Sequence, residues 1–264
     1  SFFNEKGSAD RFRERVIFPI HNYSGKVLGF GGRALDPKNK AKYLNSPENL
    51  IYHKSKVLYG LYFSKSEIAK ENNCYIVEGY TDVVSMHQVG IKNVVSASGT
   101  SLSAEQVNLI GRLTKNMTLL FDGDDAGLRA SFKSIDLILK EGMNVKIVMF
   151  PEGEDPDSYS KKLSQEEYIT FLLENKKDFI QYKTELLNKN SKNEPAVRVK
   201  YIKDIARSIS MIPDRLLRSE YCKLSSSLID ISEEDLLREV SIFLQGEQLN
   251  PIIRNVSTNN STAG

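Results

Sequence analysis

Apolar residues follow two different periods along the chain. Short apolar runs at 16–20 and 26–30, separated by the turn-prone stretch 22–25, predict a β-hairpin. From Cys74 onward, strand-like runs at 75–77, 93–95, 117–121 and 145–150 alternate with helical spacing, as at 104–113 and 126–139. This alternation predicts βαβ units and a parallel sheet covered by helices.

No strand-like pattern follows Ser158. Ser164 and Glu167 have the spacing of a capping box, which predicts the first of several amphipathic helices. Residues 250–264 are polar and predict a disordered tail or linker. We therefore predict an α/β fold: an incomplete N-terminal β-rich basic subdomain (1–71), a parallel-sheet core (72–157) and a C-terminal helical subdomain (158–249).

Composition narrows the class of protein. The apolar fraction of 40% and the charged fraction of 27% are ordinary, and no apolar stretch approaches the roughly 18 residues of a membrane span, so no membrane partner is expected. Cys74 and Cys222 have the pattern of reduced core thiols, which favours the cytoplasm. No signal peptide is visible, and the chain begins in the middle of a pattern, so we expect a trimmed fragment. A net charge of +2 indicates no particular partner.

Acidic residues follow three of the predicted parallel strands. Glu78 follows the first, Asp122 and Asp124 follow the third, and Asp155 and Asp157 follow the fourth. Ligand sites in open α/β sheets lie at the carboxyl ends of strands. Carboxylates that converge there need a cation, and their hard oxygens suit Mg²⁺ or Mn²⁺. The predicted chemistry is metal-assisted phosphoryl transfer.

Other interpretations of these motifs were compared by spacing. Asp122-Gly123-Asp124 alone could be a turn and a helix cap, but three acidic motifs at the same ends of different strands are harder to explain in that way. An EF-hand fails because its last ligand position falls on Lys133. A phosphatase of the haloacid dehalogenase type, with Asp122 as nucleophile, stays open. The glycine-rich stretch 29–34 is not followed by a helix, so we reject a dinucleotide-binding site.

A basic segment precedes the predicted sheet. Cationic, aromatic and amide side chains alternate within it, as single-stranded nucleic acid binding requires. A solvated lysine-rich loop is the alternative for this segment taken alone. The histidines and cysteines lack metal-ligand spacing, so no zinc is expected in this fragment. The segment comprises Arg33, Lys38, Lys40, Lys42, Tyr43, Asn45, Tyr52, His53, Lys54 and Lys56.

Seven motifs follow one another in a recognisable order: 11–20 (RFRERVIFPI), 29–33 (GFGGR), 42–48 (KYLNSPE), 58–62 (LYGLY), 77–82 (VEGYTD), 121–127 (FDGDDAG) and 153–157 (GEDPD). The series resembles the RNA polymerase domain of bacterial replicative primases, with its central Toprim module. The resemblance is strong over about 1–160 and rests only on position and character beyond that.

The resemblance implies a Toprim-type fold at about 72–157 and a role for each matching position. Glu78, Asp122 and Asp124 would be catalytic and would bind Mg²⁺ or Mn²⁺. Asp82, Asp155 and Asp157 match further acidic positions of the metal site. Arg33, Lys42, Asn45 and Lys54 match the groove that binds template and nucleotides.

The resemblance also implies the function. The expected enzyme is a DNA-directed RNA polymerase that makes short RNA primers on single-stranded DNA from ribonucleoside triphosphates by two-metal nucleotidyl transfer. We expect it in the bacterial cytoplasm, nucleoid-associated at replication forks, with the replicative helicase bound through a region not present here. The family's zinc ribbon is not evident. A Toprim topoisomerase, which needs a transesterifying tyrosine, and a non-catalytic nucleic-acid-binding mediator are the alternatives.

Overall fold

The computed structural model describes residues 2–4, 7–36, 38–98, 102–122, 132, 135–190 and 194–259. Its contacts divide the chain into two compact units: Ser1–Ser131 with Val148–Asn175, and Phe132–Ile147 with Lys176–Gly264. A compact unit can contain more than one domain, so the predicted boundaries at 71, 157 and 249 stay a prediction. Within the described part of the chain, no helix is both long and apolar enough to span a membrane.

The first unit begins with antiparallel strands. β1 (Phe2–Asn4) pairs with β2 (Gly7–Ala9), and β3 (Arg15–His21), β4 (Val27–Ala34) and β5 (Tyr43–Asn45) form a three-stranded sheet in that order. The predicted hairpin is confirmed as β3 and β4, whose turn is closed by Asn22 Oδ1, which accepts from the N–H groups of Ser24 (3.0 Å) and Lys26 (2.9 Å). β5 was not predicted, because only its pairing with β4 makes a strand of this polar stretch.

The predicted α/β core is also confirmed. Strand β6 is parallel to both β7 and β8, with Tyr75 opposite Val94 and Thr118. Every residue of β6 is buried, as expected for a strand covered on both faces. In chain order, the elements after β5 are a 3-10 turn (Lys54–Lys56), α1 (Leu61–Lys70), β6 (Cys74–Val77), α2 (Tyr80–Gln88), β7 (Val94–Ser96), α3 (Ala104–Gly111), β8 (Asn116–Phe121), β9 (Asn144–Met149), α4 (Pro156–Ser160) and α5 (Gln165–Glu174).

The sheet core of the first unit continues into α5. Tyr168 and Leu172 of this helix are buried in the same apolar cluster as Val77, Leu120 and Phe150. The predicted capping box that begins α5 is confirmed, because Ser164 Oγ accepts from the N–H of Glu167 at 3.3 Å and Glu167 Oε2 accepts from the N–H of Ser164 at 2.8 Å. The cap determines where the helix starts, and the apolar spacing determines which face is buried.

The second unit is mainly helical. Besides a helical segment at 135–140 and the first part of β9, it contains β10 (Lys177–Asp178), α6 (Phe179–Asn190), α7 (Pro195–Ser210), α8 (Arg215–Ile229) and α9 (Glu233–Asn259). The prediction that no strand follows 158 was wrong: β10 pairs antiparallel with β9, Lys177 opposite Ile147. Two residues are too few to show a strand period in the sequence.

The end of the chain differs from the prediction as well. α9 continues to Asn259, so residues 250–259 are helical where a disordered tail was expected. Their polar composition suggested disorder, but Leu249, Ile252, Ile253 and Val256 keep the i, i+3, i+4, i+7 spacing of a helix. Residues 260–264 lie outside the described residues.

Candidate functional site: a cavity lined by acidic and basic side chains

A cavity of about 410 Å³ in the first unit collects most of the predicted site residues. Asp124, with its neighbours Gly123 and Asp125, lies outside the described residues. Tyr43 of the predicted basic segment also lines the cavity, as do four residues that were not predicted for the site, namely Gly79, Tyr80, Thr81 and Ser98. The predicted residues that line it are Arg33, Lys42, Asn45, Lys54, Glu78, Asp82, Asp122, Asp155 and Asp157.

Two acids of the cavity lie at the ends of strands. Glu78 directly follows β6 and Asp122 directly follows β8. Because β6 and β8 are parallel neighbours, these two carboxylates leave the sheet at the same edge, as predicted. Asp155 comes from a helix start instead: it is the N-cap of α4, and its Oδ1 accepts from the N–H of Ser158 at 2.6 Å. Asp155 therefore both caps a helix and lines the cavity, whereas the cap interpretation made for 122–124 stays untested because 123 and 124 lie outside the described residues.

Asp82 shows that the acids interact electrostatically. It is buried in the first turn of α2, where its Oδ2 accepts from the N–H of Gly79 at 2.8 Å. Burial raises its pKa to about 6, and the charges of Asp155, Asp122 and Asp157 act in the same direction, while the Gly79 N–H opposes them. A positive charge in the cavity would relieve this repulsion.

Asp157 has partners on both carboxylate oxygens. Ser85 Oγ of α2 donates to Oδ1, and Lys161 Nζ donates to Oδ2 at 2.9 Å. Burial acts to raise the pKa of Asp157, but the bonds from Ser85 and Lys161 outweigh burial and hold the pKa below its ordinary value. Asp157 is therefore ionised and fixed in orientation at neutral pH.

Cationic and aromatic groups come from β4, from β5 and from Lys42 directly before β5. Arg33 is the register partner of Tyr43 across these strands, and its guanidinium carbon lies 5.9 Å from the centre of the Tyr43 ring. Lys42 Nζ lies 6.0 Å from the same ring centre. The Tyr43 hydroxyl is 3.2 Å from Thr81 Oγ1, within hydrogen-bond distance. An aromatic ring with two adjacent cations is suited to contact bases and phosphates.

Tyr80 connects the basic strands to α2. Its ring is buried and stacks on Phe18 at 5.2 Å between centroids, and its hydroxyl donates to Asn45 Oδ1 at 2.7 Å. A Cβ on Gly31 would lie only 2.5 Å from this ring, so the glycine-rich stretch of β4 permits close approach to Tyr80. Tyr80 was not predicted as a site residue, although it directly follows Glu78-Gly79 in the motif 77–82.

The donor set of the cavity fits a magnesium or manganese ion. Carboxylate oxygens are the ligands these hard cations prefer, and burial together with the charges of the neighbouring acids raises the pKa of Asp82. Among the residues that the structure describes, no three acidic, histidine or cysteine side chains form a ready-made metal cluster, and Asp124 is not one of those residues. The acids that would hold an ion are those of the cavity: Glu78, Asp82, Asp122, Asp155 and Asp157.

Known proteins resemble the chain in both sequence and structure. A DNA primase domain from Pseudomonas aeruginosa superposes with a TM-score of 0.79 at 31% identity, over 90% of this chain and 75% of that one. The DnaG primase catalytic domain bound to ssDNA superposes with a TM-score of 0.75 at 35% identity, over 86% of this chain and 74% of that one. This chain belongs to the bacterial DNA primase family. The DNA primase of Halalkalibacterium halodurans is 39% identical over 232 residues, 87% of this chain and 38% of the relative's length.

Family models for primases match three segments. They describe the N-terminal domain of the DNA primase catalytic core (residues 2–65), a Toprim-like domain (75–160) and the DnaB-helicase binding domain of primase (184–234). The first two confirm the primase resemblance and the Toprim-type core. The third contradicts our prediction that the helicase-binding region is not present here. That prediction failed because residues 184–234 were judged only as amphipathic helices, a pattern that carries no information about a partner.

Proposed function

We propose that this chain supplies the catalytic cavity of a DNA-directed RNA polymerase, a primase that makes short RNA primers on single-stranded DNA during replication. One observation carries the proposal: acids that follow parallel strands and cations on β4, just before β5 and in the 3-10 turn line the same cavity. The chain spans 38% of the length of the curated primases it matches, so the activity of the whole protein is part of the proposal. The ssDNA in the similar solved structure supports the choice of template.

The acids of the cavity have the role of holding divalent metal. Glu78, Asp122 and Asp124 would be the principal ligands, with Asp82, Asp155 and Asp157 completing the acidic set. Bound Mg²⁺ or Mn²⁺ would neutralise the charge that develops on the triphosphate and lower the barrier for attack by a ribose 3′-hydroxyl in nucleotidyl transfer. Asp157 is already ionised and oriented by Ser85 and Lys161, which suits this role.

The cations and aromatic groups bind and orient the nucleic acid and the ribonucleoside triphosphate. Arg33, Lys42 and Lys54 offer positive charge to phosphates, and Tyr43 offers a ring face for a base. Asn45 accepts from the Tyr80 hydroxyl, which fixes its amide group at the cavity wall. No residue of the chain is needed as a covalent nucleophile in this scheme.

The proposed partner in the second unit is the replicative helicase, through the segment 184–234 that matches the helicase-binding family model. Such a partner would bring the enzyme to replication forks, on the nucleoid in the bacterial cytoplasm. Retention of the chain on immobilised replicative helicase tests this point. Retention that persists after deletion of 184–234 would contradict it.

The sharpest test of the activity is incorporation of labelled ribonucleotides on a single-stranded template with Mg²⁺ or Mn²⁺. We expect wild type to extend a primer, and Glu78→Gln to lower the rate on the order of a hundredfold or more, because a charged group that acts on the transition state is lost. The matched control is Glu174→Gln, which makes the same change at the exposed end of α5.

Other results of this assay would favour other classes of protein. Relaxation of supercoiled DNA would indicate a topoisomerase, and binding without turnover would indicate a mediator. Equal rates for wild type and Glu78→Gln would show that the acids of the cavity do not take part in catalysis.

A further inference from the structure

The two carboxylate oxygens of Asp157 have partners of different charge. Oδ1 accepts from the hydroxyl of Ser85, a buried residue of α2, and Oδ2 accepts from the ammonium of Lys161 at 2.9 Å. Lys161 lies directly after α4, four positions from Asp157. One partner is neutral and the other is a cation, so they affect a metal ligand in different ways.

The serine is compatible with metal binding. A carboxylate oxygen has two lone pairs, so Oδ1 can accept from Ser85 while the carboxylate still binds an ion. Hydrogen bonds of this kind fix the orientation of ligands, and their loss typically costs about 10–100-fold in metal affinity. Ser85 comes from a different helix than Asp157, so it also fixes the carboxylate relative to α2.

The lysine competes with a metal ion. Its ammonium occupies Oδ2 and neutralises the charge that a cation would use. The side chain of Lys161 is 65% exposed and that of Asp157 only 17%, so the ammonium can leave into water while the carboxylate stays in place. The ammonium is largely hydrated already, so its release from this pair costs little.

We propose that Ser85 is the positioning residue of Asp157 and that Lys161 is its resident counter-ion, which leaves when a divalent cation binds the cavity. The inference rests on the proposed function because it takes Asp157 as a metal ligand. In this view the metal-free cavity keeps one acid neutralised until the ion arrives.

The chain contains a matched control for the lysine. Lys162 contacts Glu154 Oε1, as Lys161 contacts Asp157, but Glu154 is not one of the described residues that line the cavity. Lys161→Met and Lys162→Met remove the same charge from adjacent positions, so both change the general field at the cavity in a similar way. A difference in Mn²⁺ affinity between the two variants therefore measures the effect of the direct contact between Lys161 and Asp157.

The experiment is titration of the full chain with MnCl₂, with free Mn²⁺ followed by electron paramagnetic resonance and MgCl₂ used as a competitor. We expect Lys161→Met to bind Mn²⁺ about two- to fivefold more tightly than Lys162→Met, because the ammonium that competes for Asp157 Oδ2 is lost. Ser85→Ala should bind about tenfold or more weakly than wild type. Ser85→Thr keeps the hydroxyl and should restore most of the affinity.

The outcomes separate this inference from the proposed function. Equal Mn²⁺ affinity of Lys161→Met and Lys162→Met would overturn the counter-ion, and unchanged affinity of Ser85→Ala would overturn the positioning role. If Ser85→Ala does not fold, as circular dichroism would show, Ser85→Cys takes its place, because a thiol is a weak donor of similar size and should also bind Mn²⁺ more weakly than wild type. If wild type neither binds Mn²⁺ nor incorporates nucleotides, the proposed function itself fails, and this inference with it.

Discussion

The two compact units use lysine in opposite ways. In the second unit, Lys183 is 3% exposed, and its Nζ donates to the carbonyl of Asp204 at 2.9 Å and to Ser208 Oγ at 2.7 Å. Ser208 Oγ in turn donates to Asp136 Oδ1 at 2.5 Å. In the first unit, Lys42 directly precedes β5, is exposed and lines the cavity. The first lysine serves the fold, and the second is available to a ligand.

The difference follows from what surrounds each charge. Burial lowers the pKa of Lys183, and the nearby Asp136 and Asp204 partly restore it. Its Nζ also lies 4.9 Å from the centre of the Phe132 ring, in range for a cation–π contact. Breaking such a buried set removes partners that water cannot replace. An exposed lysine can be removed at almost no cost in stability, so a substitution there tests binding without disturbing the fold.

The largest expected effect tests the buried lysine. Lys183→Met should lower the free energy of unfolding by about 3 kcal/mol, because Asp136 and Ser208 stay buried without the ammonium. Urea unfolding followed by circular dichroism measures this change. Lys203→Met, at an exposed position of α7, should change it by less than about 0.5 kcal/mol. Equal small changes for both variants would remove the contrast between the two regions.

A smaller effect on binding, with no effect on stability, is expected at the cavity. Lys42→Ala and Lys54→Ala should each reduce the slope of log affinity against log salt for single-stranded DNA by about 0.7, because one phosphate contact is lost. Fluorescence anisotropy at several salt concentrations gives the slope. Lys70→Ala is the control, since its ammonium contacts Glu67 and Glu71 at the end of α1. Unchanged slopes for Lys42→Ala and Lys54→Ala would show that these lysines do not contact the nucleic acid.

The smallest effect is expected for His87, which is half-buried, whereas Lys183 is buried and Lys42 is exposed. Ser64 Oγ donates its proton to the Val94 carbonyl at 2.8 Å, so at 3.3 Å it accepts from Nε2–H of a neutral His87. Burial lowers the pKa of His87, and Lys92 acts in the same direction. In the unfolded chain His87 has its ordinary pKa of about 6.5, so below that pH the unfolded chain binds more protons than the folded chain. The free energy of unfolding should therefore rise with pH up to about 6.5. In urea unfolding between pH 5 and 7, His87→Gln should show a flatter rise, and an identical profile would contradict this assignment.

Local pattern was enough for most of the sheet and for the placement of two acids. The strand runs and turn residues predicted β3, β4, β6, β7, β8 and β9 to within a few residues, because burial on the core side imposes a period that the sequence must carry. Glu78 and Asp122 followed from the same information, since a residue after a parallel strand must lie at its carboxyl end. The ion pair of Asp157 with Lys161 also has a local signal, the i, i+4 spacing.

The remaining features depend on contacts between residues far apart in the chain. β5 and β10 are strands only because a neighbouring strand pairs with them, and Tyr80 lines the cavity because Gly31 lets β4 approach its ring. Ser85 meets Asp157, and Asp136 meets Ser208, across 72 positions of sequence each. The sequence by itself determined the periodic elements and the residues at their ends, because those depend on neighbours a few positions away. Only the tertiary structure decided which side chains share a hydrogen bond or a cavity, because that depends on how the elements are brought together.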